Sequence, residues 1–290
     1  IQYAYVTSES GRLVGVVPLR DLVLAGSGKP LRSIMISNPV YVLTSTSLSE
    51  VLQLFDRFDF FVIAVTDEDG HMVGVVRRAD AEEAQGEEQE RTFLRFSGII
   101  GGEELRTMDF SERAPRRLIW LGLNVLLSLV AASVLLLFEQ TVAQVYALVF
   151  FIPIICNLSG CSGNQAVAVS IRELALGLIQ PGDFMRVWGK ELIVGAANGL
   201  VIGTLLATVA LALNAILWQE SMVLALVIGA AFALNTLVAV SLGGLIPLML
   251  RAFGLDPALG APPILTTLTD MCGLIFILAL ASATMAWGYL

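Results

Sequence analysis

The stretch "ILTTLTDMCGLIFILALA", residues 264–281, contains one carboxylate, Asp270, in an otherwise uncharged apolar run. It belongs to a segment, residues 263–289, that is long enough to cross the ~30 Å hydrocarbon core of a bilayer as a helix. An ionised Asp near the centre of such a helix costs roughly 2.5–3.5 kcal/mol on insertion scales. The sequence therefore predicts a membrane-spanning helix whose carboxylate requires a compensating partner.

The distribution of charge divides the chain near Pro115. Residues 1–115 hold 11 Lys/Arg and 18 Asp/Glu, whereas residues 116–290 hold 6 and 7 and consist mostly of long apolar runs. The first part is predicted to be a water-soluble acidic domain, and the second the membrane domain of a polytopic α-helical membrane protein. Because the soluble part is acidic and has no basic patch, we expect no binding of nucleic acid.

Five apolar segments of the second part are predicted to cross the lipid bilayer, and their connections differ in charge. The loops on one side contain all six basic residues, and those on the other contain Glu139 and Glu220 but no Lys or Arg. The positive-inside rule therefore predicts a multi-pass protein of the cell membrane, with its N-terminal domain in the cytoplasm and its C-terminus outside. The segments are about 118–138, 143–170, 191–217, 222–250 and 263–289.

The soluble part contains an internal repeat. "YVTSESGRLVGVVPLRDL" (5–22) and "AVTDEDGHMVGVVRRADA" (64–81) align at an offset of 59 residues, and each reads as a β-hairpin followed by a helix start. The segment between them predicts a short strand, an amphipathic helix with Ser47 as its N-cap, and a further strand. We therefore expect two packed copies of one α+β unit.

An acidic stretch, "ADAEEAQGEEQERTFLRF", follows the second copy. If it is helical, Asp80, Glu83, Glu87 and Glu90 share one face, where like charges repel by a few tenths of a kcal/mol per pair. Two interpretations remain open. The face is either simply solvated, or it senses a divalent cation that cancels the repulsion, since Ca²⁺ and Mg²⁺ both prefer carboxylate oxygen.

Polar and small residues also interrupt the second apolar segment, which contains Pro153, Gly160, Gly163 and Asn164. They favour either close helix packing with interhelical amide bonds, or the lining of a pore in which Asn164 and freed backbone carbonyls face water. His71 is the only histidine, which excludes His-rich zinc or copper sites. With no nucleophile–base pair or phosphate-binding loop, enzymatic chemistry is not indicated.

The charge of Asp270 could be compensated by a basic side chain, by a metal ion or by protonation. No Lys or Arg occurs at mid-depth in the five segments, so a basic side chain is a poor candidate, which leaves a metal ion or protonation. Thr266 lies one turn before Asp270 on the same helix face, in a helix expected to start near Pro262. A cation path lined by Asp270 and Thr266 accounts best for the pattern.

The repeat resembles the CBS-domain pair, with residues 34–84 as its complete second copy. Such pairs often bind adenine nucleotides such as ATP through the pattern G-h-h-[ST]-x-x-D, in which h is apolar. In "GVVPLRD" and "GVVRRAD", Asp21 and Asp80 match this pattern, but Pro18 and Arg77 replace the hydroxyl residue. The two Asp residues either bind a nucleotide or stabilise the N-termini of helices, and the missing hydroxyl residues favour the second role.

The membrane part is similar to the MgtE family of magnesium channels, through "SGCSGNQAVAVSIREL" and, about 90 residues later, "GLDPALGAPPILTTLTD". The resemblance implies a partial CBS-domain pair in the cytoplasm at 1–84, an acidic linker or plug helix at 85–115, and a five-span cation pore domain at 116–290. It further implies a homodimer with a ten-span bundle and one pore on the two-fold axis, where Asp270 binds hydrated Mg²⁺. The given sequence begins within the CBS pair, so the family's N-terminal acidic domain is expected to be missing, and Pro262 stands where an Asn can occur.

The resulting hypothesis is a magnesium channel or transporter that also admits other divalent cations. It is gated by cytosolic Mg²⁺ at Asp80, Glu83, Glu87 and Glu90, and its pore contains Asp270, Thr266 and Asn164. The alternatives are a cation exchanger coupled to sodium or protons, and a membrane-anchored CBS regulator that senses a nucleotide. Mg²⁺ keeps several of its waters when bound, so two Asp270 residues facing each other across a two-fold axis could balance one ion.

Overall fold

The computed structural model describes residues 3–26, 28–218 and 221–289. Glu220, assigned above to a loop by its charge, lies outside the described residues. The chain divides into two compact units, Ile1–Glu90 and Arg91–Leu290.

The first unit contains two three-stranded sheets. In one sheet the order is β1–β2–β3 with antiparallel pairing throughout, and in the other it is β4–β5–β6, with β4 parallel and β6 antiparallel to β5. The strands are β1 (Tyr3–Thr7), β2 (Leu13–Pro18), β3 (Ile36–Ser37), β4 (Tyr41–Leu43), β5 (Val62–Thr66) and β6 (Met72–Arg77). The helices are α1 (Leu19–Leu24), a 3-10 turn at Leu31–Ser33, and α2 (Leu48–Phe58).

The two hairpins repeat each other in detail, which agrees with the sequence repeat. Both have a register irregularity just before a Thr, at Thr7 and Thr66. Both turn through a glycine with positive φ, Gly11 at 81° and Gly70 at 83°. The turns are also joined: Leu13 N donates to Gly70 O at 3.0 Å and Met72 N donates to Gly11 O at 3.1 Å. The copies therefore pair through equivalent parts, as expected for a duplicated unit.

The α2 helix begins where its sequence predicts. Ser47 and Glu50 form a capping box in which the Ser47 hydroxyl accepts from Glu50 N at 3.4 Å and the Glu50 carboxylate accepts from Ser47 N at 3.3 Å. The apolar face of α2 places Val51 and Phe55 in a core with Ile63 of β5. The predicted amphipathic helix is confirmed.

The second unit is helical. In the described part of the chain, five helices are long and apolar enough to cross a membrane: Phe110–Leu137, Ala147–Ala175, Phe184–Leu217, Val223–Ala252 and Pro257–Ala286. They comprise the following elements: α4 (Phe110–Ala132) with the short α5 (Val134–Leu137), α7 (Ala147–Ala175), α8 (Phe184–Leu213) with a π-helical turn at Asn214–Trp218, α9 (Val223–Ala252) and α10 (Pro257–Ala286). A short helix, α6 (Glu139–Gln144), connects α5 to α7. The α3 helix (Arg78–Phe96) begins in the first unit and ends in the second.

Three local expectations were wrong. The helix of α10 begins at Pro257 rather than near Pro262, because Asp256 caps it by accepting from Ala258 N at 2.9 Å and proline is tolerated at the first helical position. The α7 helix runs unbroken through Pro153, with Phe151 and Ile155 fully buried beside it, so no backbone segment is unwound there. The acidic linker is helical only as far as Phe96.

Glycines bring α9 close to two of its neighbours, α7 and α8. A Cβ on Gly163 of α7 would lie 2.8 Å from the carbonyl oxygen of Ala239, and one on Gly243 would overlap the carbonyl oxygen of Gly163. On the other side of α9, a Cβ on Gly203 of α8 would lie 2.8 Å from Gly229 O. Such backbone contact is typical of packing between membrane helices, in which small residues permit close approach.

We expect Gly243→Ala to lower the stability of the helical unit by about 1–3 kcal/mol, because the new methyl group overlaps the α7 backbone. Thermal unfolding in detergent measures the effect. Gly122→Ala is the matched control, since a Cβ at that position of α4 meets nothing within 4 Å and Ala favours a helix over Gly by up to ~1 kcal/mol. Equal midpoints for the two variants would contradict the packing role of Gly243.

The loop between α3 and α4, residues 97–109, is held against the first turns of α4. Glu104, whose side chain is 4% exposed, accepts from Arg113 Nε at 3.1 Å and pairs with Arg117. The hydrogen bond from Arg117, with a further one from Arg113, holds the pKa of Glu104 below its usual range. Ile100 N also donates to Arg116 O at 3.3 Å. The loop is therefore fastened to α4 by a buried carboxylate.

We expect Glu104→Gln to increase amide hydrogen exchange in residues 97–109, because an amide cannot replace the charge-assisted bonds to the two arginines. A depressed carboxyl pKa gives stabilisation that is present above the unfolded pKa and lost as the pH falls through the folded pKa. After correction for intrinsic exchange, amide exchange in the parent loop should therefore increase as the pH falls below the ordinary pKa of Glu. In the variant it should not change. Glu112→Gln, at an exposed position of α4, is the control.

Candidate cation site

Asp270 lies close to the midpoint of α10, about 20 Å along the axis from its first residue at 1.5 Å per residue. One face of this helix is packed inward through Leu265, Thr269 and Gly273, whereas Thr266 is exposed and Asp270 is partly buried. In the described part of the chain, the Asp270 carboxylate has neither an ion pair nor a hydrogen-bond donor.

The basic residues of the helical unit lie far from this depth. Each of those named in the sequence analysis falls within about two turns of an end of its helix, which is the usual place for anchors at a membrane surface. The positions are Arg116 and Arg117 in α4, Arg172 in α7, Arg186 and Lys190 in α8, and Arg251 in α9.

Thr266 and Asp270 are adjacent on α10, as their spacing predicts. The Thr266 hydroxyl donates to Pro262 O at 2.9 Å, and its oxygen can still accept a hydrogen bond from a water of a hydrated ion. Asn164 is on α7, with a buried Oδ1 that has no hydrogen-bond partner within the described residues. No described contact joins Asn164 to Asp270.

The α7 and α10 helices do meet behind Asp270. The Cys156 thiol of α7 lies 3.8 Å from the Asp270 carbonyl oxygen, within the distance of a sulfur hydrogen bond. One turn further along α7, a Cβ on Gly160 would lie 3.7 Å from Thr269 Oγ1. The backbone turn that carries the carboxylate is therefore in direct contact with α7.

The four acidic residues assigned to gating lie in the exposed part of α3. Asp80 already accepts from Arg77 through two bonds of 2.7 Å, so its charge is compensated locally. Asp80 also lies in the first turn of its helix, as does Asp21 in α1. Glu83, Glu87 and Glu90 have no such pairing in the described structure and remain available to a cation.

Sequence reasoning missed a contact at the end of α3. Arg95 Nη1 lies 3.2 Å from an oxygen of Asp256, the residue that caps α10, and Phe96 packs against a buried cluster that includes Ala261 and Leu265 of α10. The separation of Arg95 and Asp256 along the chain left no pattern that could have predicted the pair. The end of the linker helix is therefore attached to the helix that carries Asp270.

Two further features occur in the first unit. Asp67, Asp69 and His71 in the β5–β6 turn are close enough to hold a metal ion, but Asp67 accepts from His71 N at 2.8 Å, and this bond lowers the pKa of Asp67. This hydrogen bond within the turn explains why the three side chains lie close together without a metal ion. A cavity of about 370 Å³ lies between β4 and α2, and its lining includes neither Asp21 nor Asp80.

Comparison with known proteins adds independent information on the family. Residues 152–280 match the MgtE family, described as divalent cation transporters, and residues 31–87 match the CBS domain. The chain is 34% identical over 97% of its length to the magnesium transporter MgtE of Thermus thermophilus and 30% identical over 98% of its length to that of Bacillus subtilis. It covers 61% of each relative.

Among solved structures, the cytosolic domain of the Mg²⁺ channel MgtE in complex with ATP matches 29% of this chain and 34% of its own, with 43% identity and a TM-score of 0.28. The CBS domain and the transporter domain occur here in the order that the sequence motifs indicate, with five apolar helices after the soluble unit. The chain therefore resembles the MgtE divalent cation transporters over residues 152–280, after a segment that matches the CBS domain.

Proposed function

We propose that the chain forms the pore and part of the gate of a magnesium channel in the cell membrane, and that it works as a homodimer. The observation that carries this proposal is the Asp270 carboxylate, which lies at the midpoint of an apolar helix without a counter-charge in the described part of its own chain. A buried carboxylate of this kind is compensated by protonation or by a cation from outside the chain, and we propose the cation.

The chemistry of Mg²⁺ suits such a site. The ion gives up its waters reluctantly and is usually bound through one or two carboxylates while it keeps several waters. A two-fold axis beside α10 would bring two Asp270 residues together, and their combined charge of −2 would balance one ion. Thr266, exposed one turn away, would accept a hydrogen bond from the hydration shell.

The names of the relatives agree with this choice of ion, since the Thermus thermophilus and Bacillus subtilis proteins are each named a magnesium transporter. We propose that the soluble unit lies in the cytoplasm, because the positive-inside rule assigns the side with the basic helix ends to the cytoplasm. ATP binding is not included in the proposal, because Pro18 and Arg77 occupy the positions at which the CBS pattern requires a hydroxyl.

Gating is proposed to act through α3. Glu83, Glu87 and Glu90 are exposed and of like charge, so binding of cytosolic Mg²⁺ would remove their repulsion. The far end of the same helix is joined to α10 by the Arg95–Asp256 pair and by Phe96. A change in the position of α3 would thereby reach the helix that carries Asp270.

Asp270→Asn preserves the volume of the side chain and removes its charge. In proteoliposomes that contain a magnesium-sensitive dye, we expect Mg²⁺ influx to fall by at least about tenfold, because the two charges that balance the ion are lost. Glu139→Gln, an exposed position of α6, should transport like the parent.

Parent-like influx through Asp270→Asn would contradict the pore role and favour a membrane-anchored regulator. A parent influx that requires an opposing sodium or proton gradient would instead indicate a coupled exchanger. The channel proposal predicts Mg²⁺ influx driven by the Mg²⁺ gradient and the membrane potential alone.

Neutralising Glu83, Glu87 and Glu90 together by substitution with Gln should weaken closure of the channel by cytosolic Mg²⁺. We expect the inhibitory Mg²⁺ concentration to rise by about tenfold, within the usual range of coupling between sites. The charge-matched control replaces Glu9, Glu68 and Glu88, which are also exposed, with Gln. The same shift in both triple variants would show a general effect of net charge and would exclude a specific gating face.

A further inference from the structure

Asn235 is a buried polar residue at the centre of the helical unit. It lies on α9 and is 0% exposed, and neither Nδ2 nor Oδ1 of its amide has a partner within the described residues. An amide that is removed from water and left unpaired destabilises the state in which it is found. Polar residues within membrane segments are expensive and are commonly retained for function.

The amide lies directly behind the turn that carries Asp270. A Cβ on Gly273, three residues after Asp270, would lie 2.7 Å from Asn235 Nδ2 and 3.1 Å from Cys156 Sγ. Cys156 Sγ is in turn 3.8 Å from the Asp270 carbonyl oxygen. Three helices, α7, α9 and α10, therefore meet at Asn235, and the absence of a side chain at Gly273 leaves the amide next to the α10 backbone.

The neighbouring buried hydroxyl groups differ from Asn235 because each of them has a partner. Ser159 Oγ and Thr236 Oγ1 lie 3.3 Å apart between α7 and α9, and the Thr269 hydroxyl donates to Thr266 O at 3.0 Å. These three residues are all at least 99% buried. The missing hydrogen bonds are thus a property of the Asn235 amide and do not extend to the polar groups around it.

We propose that Asn235 is a positioning residue for the Asp270 site, and that its amide is satisfied when α10 moves during transport. This inference rests on the proposed function. A small displacement of α10 along α9 would bring the amide between Cys156 and the Asp270 carbonyl. In that arrangement Asn235 Oδ1 accepts from the Cys156 thiol S–H. Asn235 Nδ2 donates to the Asp270 carbonyl oxygen, which the thiol contacts in the described structure.

The side chains and backbone at this point provide the donors and acceptors that the new hydrogen bonds need. The amide supplies one acceptor and one donor, the thiol supplies a donor, and a carbonyl oxygen has two lone pairs, so it can accept from the amide while it keeps its helical bond. Gly273 is required because a Cβ would occupy the approach. The second arrangement would fix the height and rotation of the turn that carries the carboxylate, without contact between Asn235 and the ion.

The test compares Asn235→Ala, Asn235→Ser and Asn235→Leu in the full chain. Ala and Ser leave nearly the same space and differ by one hydroxyl group, whereas Leu approximates the volume of Asn without polar atoms. Maximal Mg²⁺ influx should fall about tenfold in the Ala and Leu variants and remain within about threefold of the parent in the Ser variant. The half-saturating Mg²⁺ concentration should be unchanged in all three, because Asn235 does not bind the ion.

Thermal unfolding separates this role from packing. Asn235→Leu should unfold at the same temperature as the parent or above it, because replacing an unpaired amide by an apolar group removes a destabilising interaction. Thr236→Val, which removes the adjacent hydroxyl bonded to Ser159, is the matched control and should keep parent influx.

Parent-like influx in all three variants overturns the inference. A loss of influx that follows the unfolding temperature alone overturns it too, as does an equal loss in the Ala and Ser variants. The parent and Asp270→Asn are measured in the same experiment. If the parent influx depends on Asp270 and the Asn235 variants are silent, only the positioning role fails. If the parent shows no Mg²⁺ influx, the proposed function fails and this inference fails with it.

Discussion

The close contact between α7 and α9 is the interaction on which the rest of the helical unit depends. At Gly163 and Gly243 the two backbones approach so closely that no side chain fits between them. Lipid gives little hydrophobic drive for helices to associate, so van der Waals contact at such points and the buried hydrogen bonds beside them supply much of the attraction. The Ser159–Thr236 contact is formed at the same interface. α10 then packs on both helices, which sets the position of Asp270.

In the soluble part and in the loop before α4, polar contacts hold separate segments of the chain together. The duplicated hairpins join at their turns through Gly11 and Gly70, and the buried Glu104 fastens the 97–109 loop to α4. The Arg95–Asp256 pair attaches the end of α3 to the start of α10. A pair that is about one-third exposed contributes little to stability by itself, but it fixes which groups move together.

Much of the architecture could be predicted because it depends on local pattern. Apolar runs reveal the five membrane helices, hydrophobic alternation reveals the hairpins, and Ser47 with Glu50 predicts the start of α2. The errors occurred where local propensity competes with context. Pro153 and Pro262 were expected to interrupt or delay helices, but a cap at Asp256 and burial around α7 stabilise helical backbone through both. Proline in a membrane helix is tolerated when neighbouring helices compensate.

The sequence by itself determined the charge division, the repeat, the depth of Asp270 and the absence of a basic residue near that depth, because these follow from composition and from position along a helix. The tertiary structure decided what lies behind Asp270. Asn235 is 35 residues before it in the chain, and nothing in the α9 sequence indicates that its amide lacks a partner or contacts Gly273. Hydrogen-bond satisfaction depends on which faces of separate helices meet, and only the packed structure specifies those faces.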